Sequence, residues 1–203
     1  MNSRAIFRSI ASYNINIIIK ILILSDFLIF AAYQLFTPIF AIFISEKISA
    51  DLEVIGIATG IYLFSKALFE MPVGIMIDKS KSEKDDLLAA IFGTVLVGIV
   101  YFSYNFVNSV SQLYVAQGFL GLGAAIAYPG WYTIFTRHID KGKEGFEWSL
   151  YDVLLGVGMA ASAALGGFIA DKYSFGVLFV LVAIVTFVGA FLLFLIKDRI
   201  YKK

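Results

Sequence analysis

The sequence predicts an all-α membrane protein: six transmembrane helices in a single bundle, arranged as an inverted three-plus-three repeat. Three observations predict it. The 203 residues are 60% hydrophobic and 15% charged, against about 25% charged in an average soluble domain, and a soluble fold has nowhere to bury so much apolar side chain. The apolar residues fall in six stretches, each long enough to cross a hydrocarbon core at roughly 20 residues per helix. Lysine and arginine lie almost wholly on one side of those stretches. Helices follow because backbone groups in lipid must be satisfied within their own segment. The alternative, a barrel of alternating ten-residue strands, is not seen.

The first span is placed at Ile21–Ile44. Ile15–Leu24 is already apolar, so this span either begins earlier or follows a short interfacial helix ending near Lys20. Asp26, Tyr33 and Thr37 form a stripe on it, since offsets of 7 and 11 residues return to within about 20° on a helical wheel. Such a stripe faces protein or water rather than lipid. The alternative for Asp26 is solvation at the headgroups, with Lys20 nearby. Pro38 breaks the hydrogen-bond ladder and frees a carbonyl to line a cavity.

The second span is Val54–Ile77. Lys66 lies about 18 Å beyond Val54 along the helix, and Glu70 follows one turn later as an i, i+4 partner. Tyr62 and Thr59 share that face. Either the pair is a neutralised structural element or it is a proton or substrate site whose pairing changes between conformations. The span closes on Gly74-Ile75-Met76-Ile77-Asp78-Lys79.

The third span, Leu87–Val107, and the sixth, Phe175–Ile196, hold no charged residue between their ends, which marks them as lipid-facing. The fourth, Leu113–Phe135, carries Gln117, Tyr128 and Trp131 within roughly 60° of one another, a candidate aromatic lining, together with Pro129. The fifth, Trp148–Ala170, has Trp148, Tyr151 and Asp152 near one end, where aromatics usually form the interfacial belt. Its small residues from Gly156 to Gly167 permit close helix approach. His138 reads as a solvated loop residue.

Orientation follows from the basic residues. Arg4, Arg8 and Lys20 precede span one; Lys79, Lys81 and Lys84 follow span two; Arg137, Lys141 and Lys143 follow span four; Lys197, Arg199, Lys202 and Lys203 form the tail. Those thirteen oppose only Lys47 and Lys172. Both termini are therefore expected in the cytoplasm, with the protein integral to the plasma (inner) membrane. Met1–Ala11 is polar and basic, so no cleavable signal peptide is expected.

Several chemistries are not supported. Cysteine is absent, and 16 basic against 15 acidic residues give no case for nucleic acid. No Ser-His-Asp set, metal-ligand cluster or phosphate-cradling glycine loop stands out. The expectation is therefore no enzyme, no cofactor and no metal, with the lipid bilayer as the first partner.

The two halves resemble each other. Asp26 to Pro38 and Gln117 to Pro129 share a separation of 12 at an offset of 91, and Gly74, Asp78 and Lys79 recur as Gly167, Asp171 and Lys172 at an offset of 93. Repeat one runs over about 15–107 and repeat two over about 111–197. Three spans per repeat is odd, so the second copy is inverted, which is the mark of secondary transporters with a site near the midplane.

Pro72-Val73-Gly74-Ile75-Met76-Ile77-Asp78-Lys79-Ser80-Lys81, in the loop after span two, is similar to the major facilitator superfamily signature G-x-x-x-D-[RK]-x-G-[RK]-[RK]. Gln117–Ala125 resembles that family's fourth-span motif, and Gly166–Lys172 ahead of an aromatic-led sixth span is similar to its pattern as well. Lys81 replaces the second Gly of the loop signature, Glu83 interrupts its basic run, and Tyr114 stands where an Arg is expected near the start of span four. The resemblance implies that helices one, two, four and five line a path, and that Gly74, Asp78 and Lys79 form a conformational loop motif. It also implies two six-helix bundles, of which this chain supplies one. The expected function is secondary transport of small solutes by alternating access, with proton coupling as an option. The chain would assemble as a homodimer, or as a heterodimer with a second half, with Asp26, Tyr33, Lys66 and Glu70 presented to the two-fold axis. The rival reading is a non-transporting accessory subunit or relic half that pairs with another membrane protein.

Overall fold

The computed structural model describes residues 15–49, 51–80 and 82–201. Arg4, Arg8, the stretch Met1–Ala11, Lys81, Lys202 and Lys203 lie outside the described residues. Six helical segments are long and apolar enough to cross a membrane: Ile17–Lys47, Leu52–Ser80, Glu83–Phe106, Val110–His138, Glu144–Lys172 and Phe175–Ile200, here spans one to six. No strand occurs among the described residues. The chain is an integral membrane protein of all-helical class.

The ends of the helices are set by local chemistry. Asn16 caps span one by accepting from the Ile18 amide at 3.0 Å, which settles its start ahead of Lys20. Ser109 and Ser174 cap spans four and six. Glu83, Asp85 and Asp86 stand in the first turn of span three, and Arg137 in the last turn of span four, each sign matched to the helix dipole. Pro38 converts Thr37–Ile39 to a 3₁₀ turn, and span one resumes as Phe40–Lys47. Pro72 and Pro129 sit inside unbroken helices.

Span four packs on spans two and three, span one on spans five and six, and span three on span six. Exchanging one with four, two with five and three with six maps that pattern onto itself. Glycines make the close approaches. A Cβ on Gly121 would collide with the Tyr62 carbonyl oxygen, one on Gly93 with Gly123 and Ala127, and one on Gly166 with the Leu35 carbonyl oxygen. Ser65 donates to the Gly118 carbonyl at 2.8 Å. In the other half, Gly158 abuts the Phe27 ring. Gly158 follows Ser65 by 93 residues and Gly118 follows Phe27 by 91, so the same pair of positions meets twice.

Spans three and six keep an exposed apolar face, with Phe92 and Ile99 on one and Ile184 and Phe191 on the other, but span three also turns a face inward. Half of the most apolar window of span three is buried within the bundle, against 6% for span two. Absence of charge made span three look lipid-facing, but its Gly93, Val97 and Tyr101 are interior contacts. Spans two and five instead carry the open flanks. The stretch Gly74 to Lys79 that closes span two is helical and the helix continues to Ser80, so the conformational loop motif sits on a helix end rather than in the loop after it.

Two apolar clusters fill the bundle. One holds Phe36, Phe43, Tyr101, Tyr104 and Phe179, with Phe43 edge-on to Phe179 at 4.7 Å between centroids. The other holds Leu22, Leu87, Trp131, Phe135 and Leu193. A cavity separates them.

Candidate functional site

The cavity has a volume of about 160 Å³ and draws its wall from spans one to four. Span one contributes Asp26, Phe30 and Tyr33, span two Tyr62 and Lys66, span three Thr94, Val97 and Tyr101, and span four Leu120, Tyr128 and Trp131. Lys66 stands at the middle of Leu52–Ser80, so the cavity lies near mid-span. It is held there by the close contact of spans two and four, where Gly121 admits the backbone of Tyr62–Lys66.

Asp26 is buried, and its Oδ2 accepts a hydrogen bond from the Tyr151 hydroxyl at 2.9 Å. That bond ties span one to span five beside the cavity. Lys66 Nζ is 3.8 Å from Glu70 Oε2 and 5.0 Å from the centre of the Tyr128 ring. Its ammonium is thus answered by a carboxylate one turn along and by an aromatic face. Both side chains of the Lys66–Glu70 pair keep about a third of their surface, 32% and 33%. Trp131 stacks on Phe135 at 4.8 Å, and its indole Nε1 is buried without a hydrogen-bond partner among the described residues. The Thr94 hydroxyl donates to the Ala90 carbonyl at 2.8 Å.

Six of the residues singled out in the sequence therefore meet on one wall: Asp26, Tyr33, Tyr62, Lys66, Tyr128 and Trp131. Glu70 reaches the cavity through Lys66. Thr37 is exposed at the 3₁₀ turn, and its hydroxyl donates to the Tyr33 carbonyl at 2.7 Å rather than facing the cavity. Gln117 is buried on the face of Tyr128, about 16 Å from it along the same helix, and is not among the residues that line the cavity. Asp152 is exposed beside Tyr151. Gly74, Asp78 and Lys79 occupy the last turns of span two, and Asp78 makes no ion pair with a described residue.

Sequence reasoning missed four contributors. Thr94 and Tyr101 belong to span three, dismissed for want of charge. Tyr151 passed for a belt aromatic, and nothing in the sequence pairs it with Asp26 across 125 residues. The fourth is Arg137, whose Nη1 lies 2.6 Å from Oδ2 of the fully buried Asp86. That ion pair locks the start of span three to the end of span four. His138, read as a loop residue, is also buried there, with Nδ1 2.9 Å from the Ile134 carbonyl.

Comparison with known proteins agrees with this architecture. The sequence profile of the Major Facilitator Superfamily matches residues 22–203. The chain is 27% identical over 164 residues to the MFS-type transporter YitZ of Bacillus subtilis, covering 81% of this chain and 97% of that protein. It is 24% identical over 136 residues to an MFS-type transporter of Methanocaldococcus jannaschii, covering 67% of this chain and 34% of the relative. Over 79 residues it is 25% identical to the proton-coupled antiporter flippase LtaA of Staphylococcus saprophyticus, covering 39% of this chain and 20% of that one. The chain thus spans nearly all of the first relative but about a third and a fifth of the other two. Since the profile match takes in all six spans but for the opening turn of the first, the chain belongs to the Major Facilitator Superfamily.

Proposed function

We propose that the chain is one half of a secondary transporter for small solutes, two copies pairing about an axis normal to the membrane and alternating access to a shared central site. Residues 1–203 act as a single six-helix bundle built from two inverted three-span repeats. The recurrence of the Ser65–Gly118 contact as Gly158–Phe27 supports the repeat. In this reading the protein sits in the plasma (inner) membrane, and the thirteen-to-two split of basic residues supports cytoplasmic termini.

The observation that carries the pairing is what the open flanks of spans two and five present. Gly56, Gly60 and Gly74 on span two, with Gly156 and Gly167 on span five, have no atom within 4 Å of where a Cβ would stand. Glycine inside a helix costs roughly 1 kcal/mol against alanine, and within this bundle nothing is gained for it. A second helix laid along Gly56-Ile57-Ala58-Thr59-Gly60 gives those positions a purpose, since small residues four apart let helix backbones approach. The same flank leaves the Lys66–Glu70 pair part-exposed near mid-span, where lipid contact is costly. A second copy, facing its twin across water, relieves both. YitZ, of which 164 aligned residues make up 97%, is itself only about 170 residues long, so a chain of this size is not alone among the relatives.

Two measurements test this. Cysteines are introduced into the cysteine-free chain at Gly60 and Ala67, which should crosslink between copies. Cysteines at Ile99 and Ile184, exposed on spans three and six, should not. A particle that stays monomeric in mild detergent, without crosslinks from span two, would turn the reading toward an accessory subunit. Proteoliposomes with an imposed proton gradient and a solute panel test transport itself; LtaA's description as a proton-coupled antiporter makes the proton the first coupling ion to try.

A further inference from the structure

We propose that the cavity takes a monovalent organic cation with an aromatic or otherwise apolar body. The proposal rests on reading the cavity as the solute site, and it follows from the charges and surfaces of the wall.

Two side chains of the wall are ionisable through an acid or an amine, Asp26 and Lys66. Lys66 is already compensated by Glu70 at 3.8 Å, with the Tyr128 ring at 5.0 Å beneath its ammonium. Asp26 has no such answer. Its hydrogen-bond partner is a neutral hydroxyl, that of Tyr151, and no Lys, Arg or His among the described residues comes within 4.0 Å of it. The wall therefore holds one carboxyl group with no ionic partner among the described residues, in a place where its anion is expensive unless a cation from outside answers it.

The rest of the wall fits the same ligand. Phe30, Tyr33, Tyr62, Tyr101, Tyr128 and Trp131 line it together with aliphatic side chains. Aromatic faces are electron-rich, so they attract a cation and repel an anion, and Trp and Tyr are the usual rings of ammonium-binding cages. A polyhydroxylated solute fits less well. It needs many paired donors and acceptors, whereas among the described wall residues there is no Asn, Gln or Ser, and the Thr94 hydroxyl is engaged by the Ala90 carbonyl. Beyond Asp26 and Lys66, the tyrosine hydroxyls and the Trp131 indole N–H are the polar groups left.

The test is binding of two water-soluble probes of similar size and opposite charge, benzyltrimethylammonium and benzenesulfonate, at matched ionic strength. The chain has two tryptophans. A Trp148→Phe background keeps an aromatic ring against Phe135 and Tyr151 and leaves the fluorescence of Trp131 as the reporter on the cavity wall. The cation should bind at least tenfold more tightly than the sulfonate, and Asp26→Asn should remove that tenfold, equivalent to about 1.4 kcal/mol. Glu70→Gln should weaken the cation severalfold and strengthen the sulfonate, because it leaves Lys66 uncompensated. Should Asp26→Asn not purify as a folded helical particle, the Glu70→Gln comparison carries the test by itself. Equal binding of the two probes, tighter binding of the sulfonate, or a cation affinity indifferent to both substitutions would overturn the proposal. Asp26-dependent cation binding without movement of any solute in proteoliposomes upholds the cation site and overturns the transport reading alone. Transport of another solute, with no cation binding, overturns the cation site alone.

Discussion

Gly166 and Gly167 are neighbours in span five, and the bundle treats them oppositely. A Cβ on Gly166 would collide with the Leu35 carbonyl oxygen and stand 2.7 Å from the Leu35 carbonyl carbon and 3.0 Å from its Cα, whereas one on Gly167 would meet nothing within 4 Å. The atoms in the way are backbone, so no side-chain rotation relieves the clash and spans one and five must part. Overpacking of this kind costs about 1–3 kcal/mol, and a backbone obstacle belongs in the upper part of that range. Alanine returns up to about 1 kcal/mol of helix propensity. Gly166→Ala should therefore destabilise the bundle by roughly 1–2 kcal/mol, while Gly167→Ala should be neutral or stabilising by up to about 1 kcal/mol. Thermal melting in mild detergent, followed by near-ultraviolet circular dichroism, reads the difference directly. A Gly166→Ala protein that melts at or above both the parent and Gly167→Ala would refute the packing of span five on span one, and with it the wall that Tyr151 and Asp26 share.

Other outcomes follow from the same geometry. The Asp86–Arg137 pair at 2.6 Å has one fully buried member and one 37% exposed, so losing the arginine should cost less than the 3–5 kcal/mol of a wholly buried pair, roughly 1–3 kcal/mol. A double-mutant cycle with Asp86→Asn and Arg137→Gln should give a coupling of about 1 kcal/mol or more, and additive effects would contradict the contact. Asp78→Asn should lower solute uptake with membrane insertion unchanged, because the exposed carboxylate at an unfavourable helix end is left for a partner across the interface; full uptake in the variant would remove Asp78 from the mechanism. Single cysteines at Ser82 and Lys143 should react with impermeant reagent only from the cytoplasm, and those at Ser49 and Asn108 only from outside. Reversed labelling at two of these sites would invert the topology.

The fold was legible because membrane insertion writes itself in one dimension. Hydrocarbon thickness dictates the length of each apolar stretch, and the six stretches in the sequence are the six spans of the structure. Boundaries were less legible. Of the two readings of Ile15–Leu24 the earlier start holds, and span one begins at Ile17, because an Asn16 cap and continued apolar residues carry the helix past Lys20. Span two continues through Asp78 and Lys79, since a helix end in the interfacial region needs no apolar side chains and hydropathy falls before the helix does.

The site was legible only where chemistry is exceptional within its own helix. Asp26 and Lys66 are expensive in lipid, and that expense marks them wherever they occur. Tyr101 and Thr94 carry no such mark; only the packing of span three on span four brings them to the cavity. Gln117 shows the converse, since sharing a face with Tyr128 fixes an angle about the helix axis but not a depth along it. Tyr151 needed both, an angle on span five and a depth matched to Asp26 on span one. Its role therefore depends on how two helices are laid against each other, and that is set by Gly158 against Phe27 and Gly166 against Leu35. Residues with no chemistry of their own thus decide where the acid meets its hydroxyl. A substitution at either glycine should accordingly disturb Asp26 from a distance, before it touches any residue of the cavity wall.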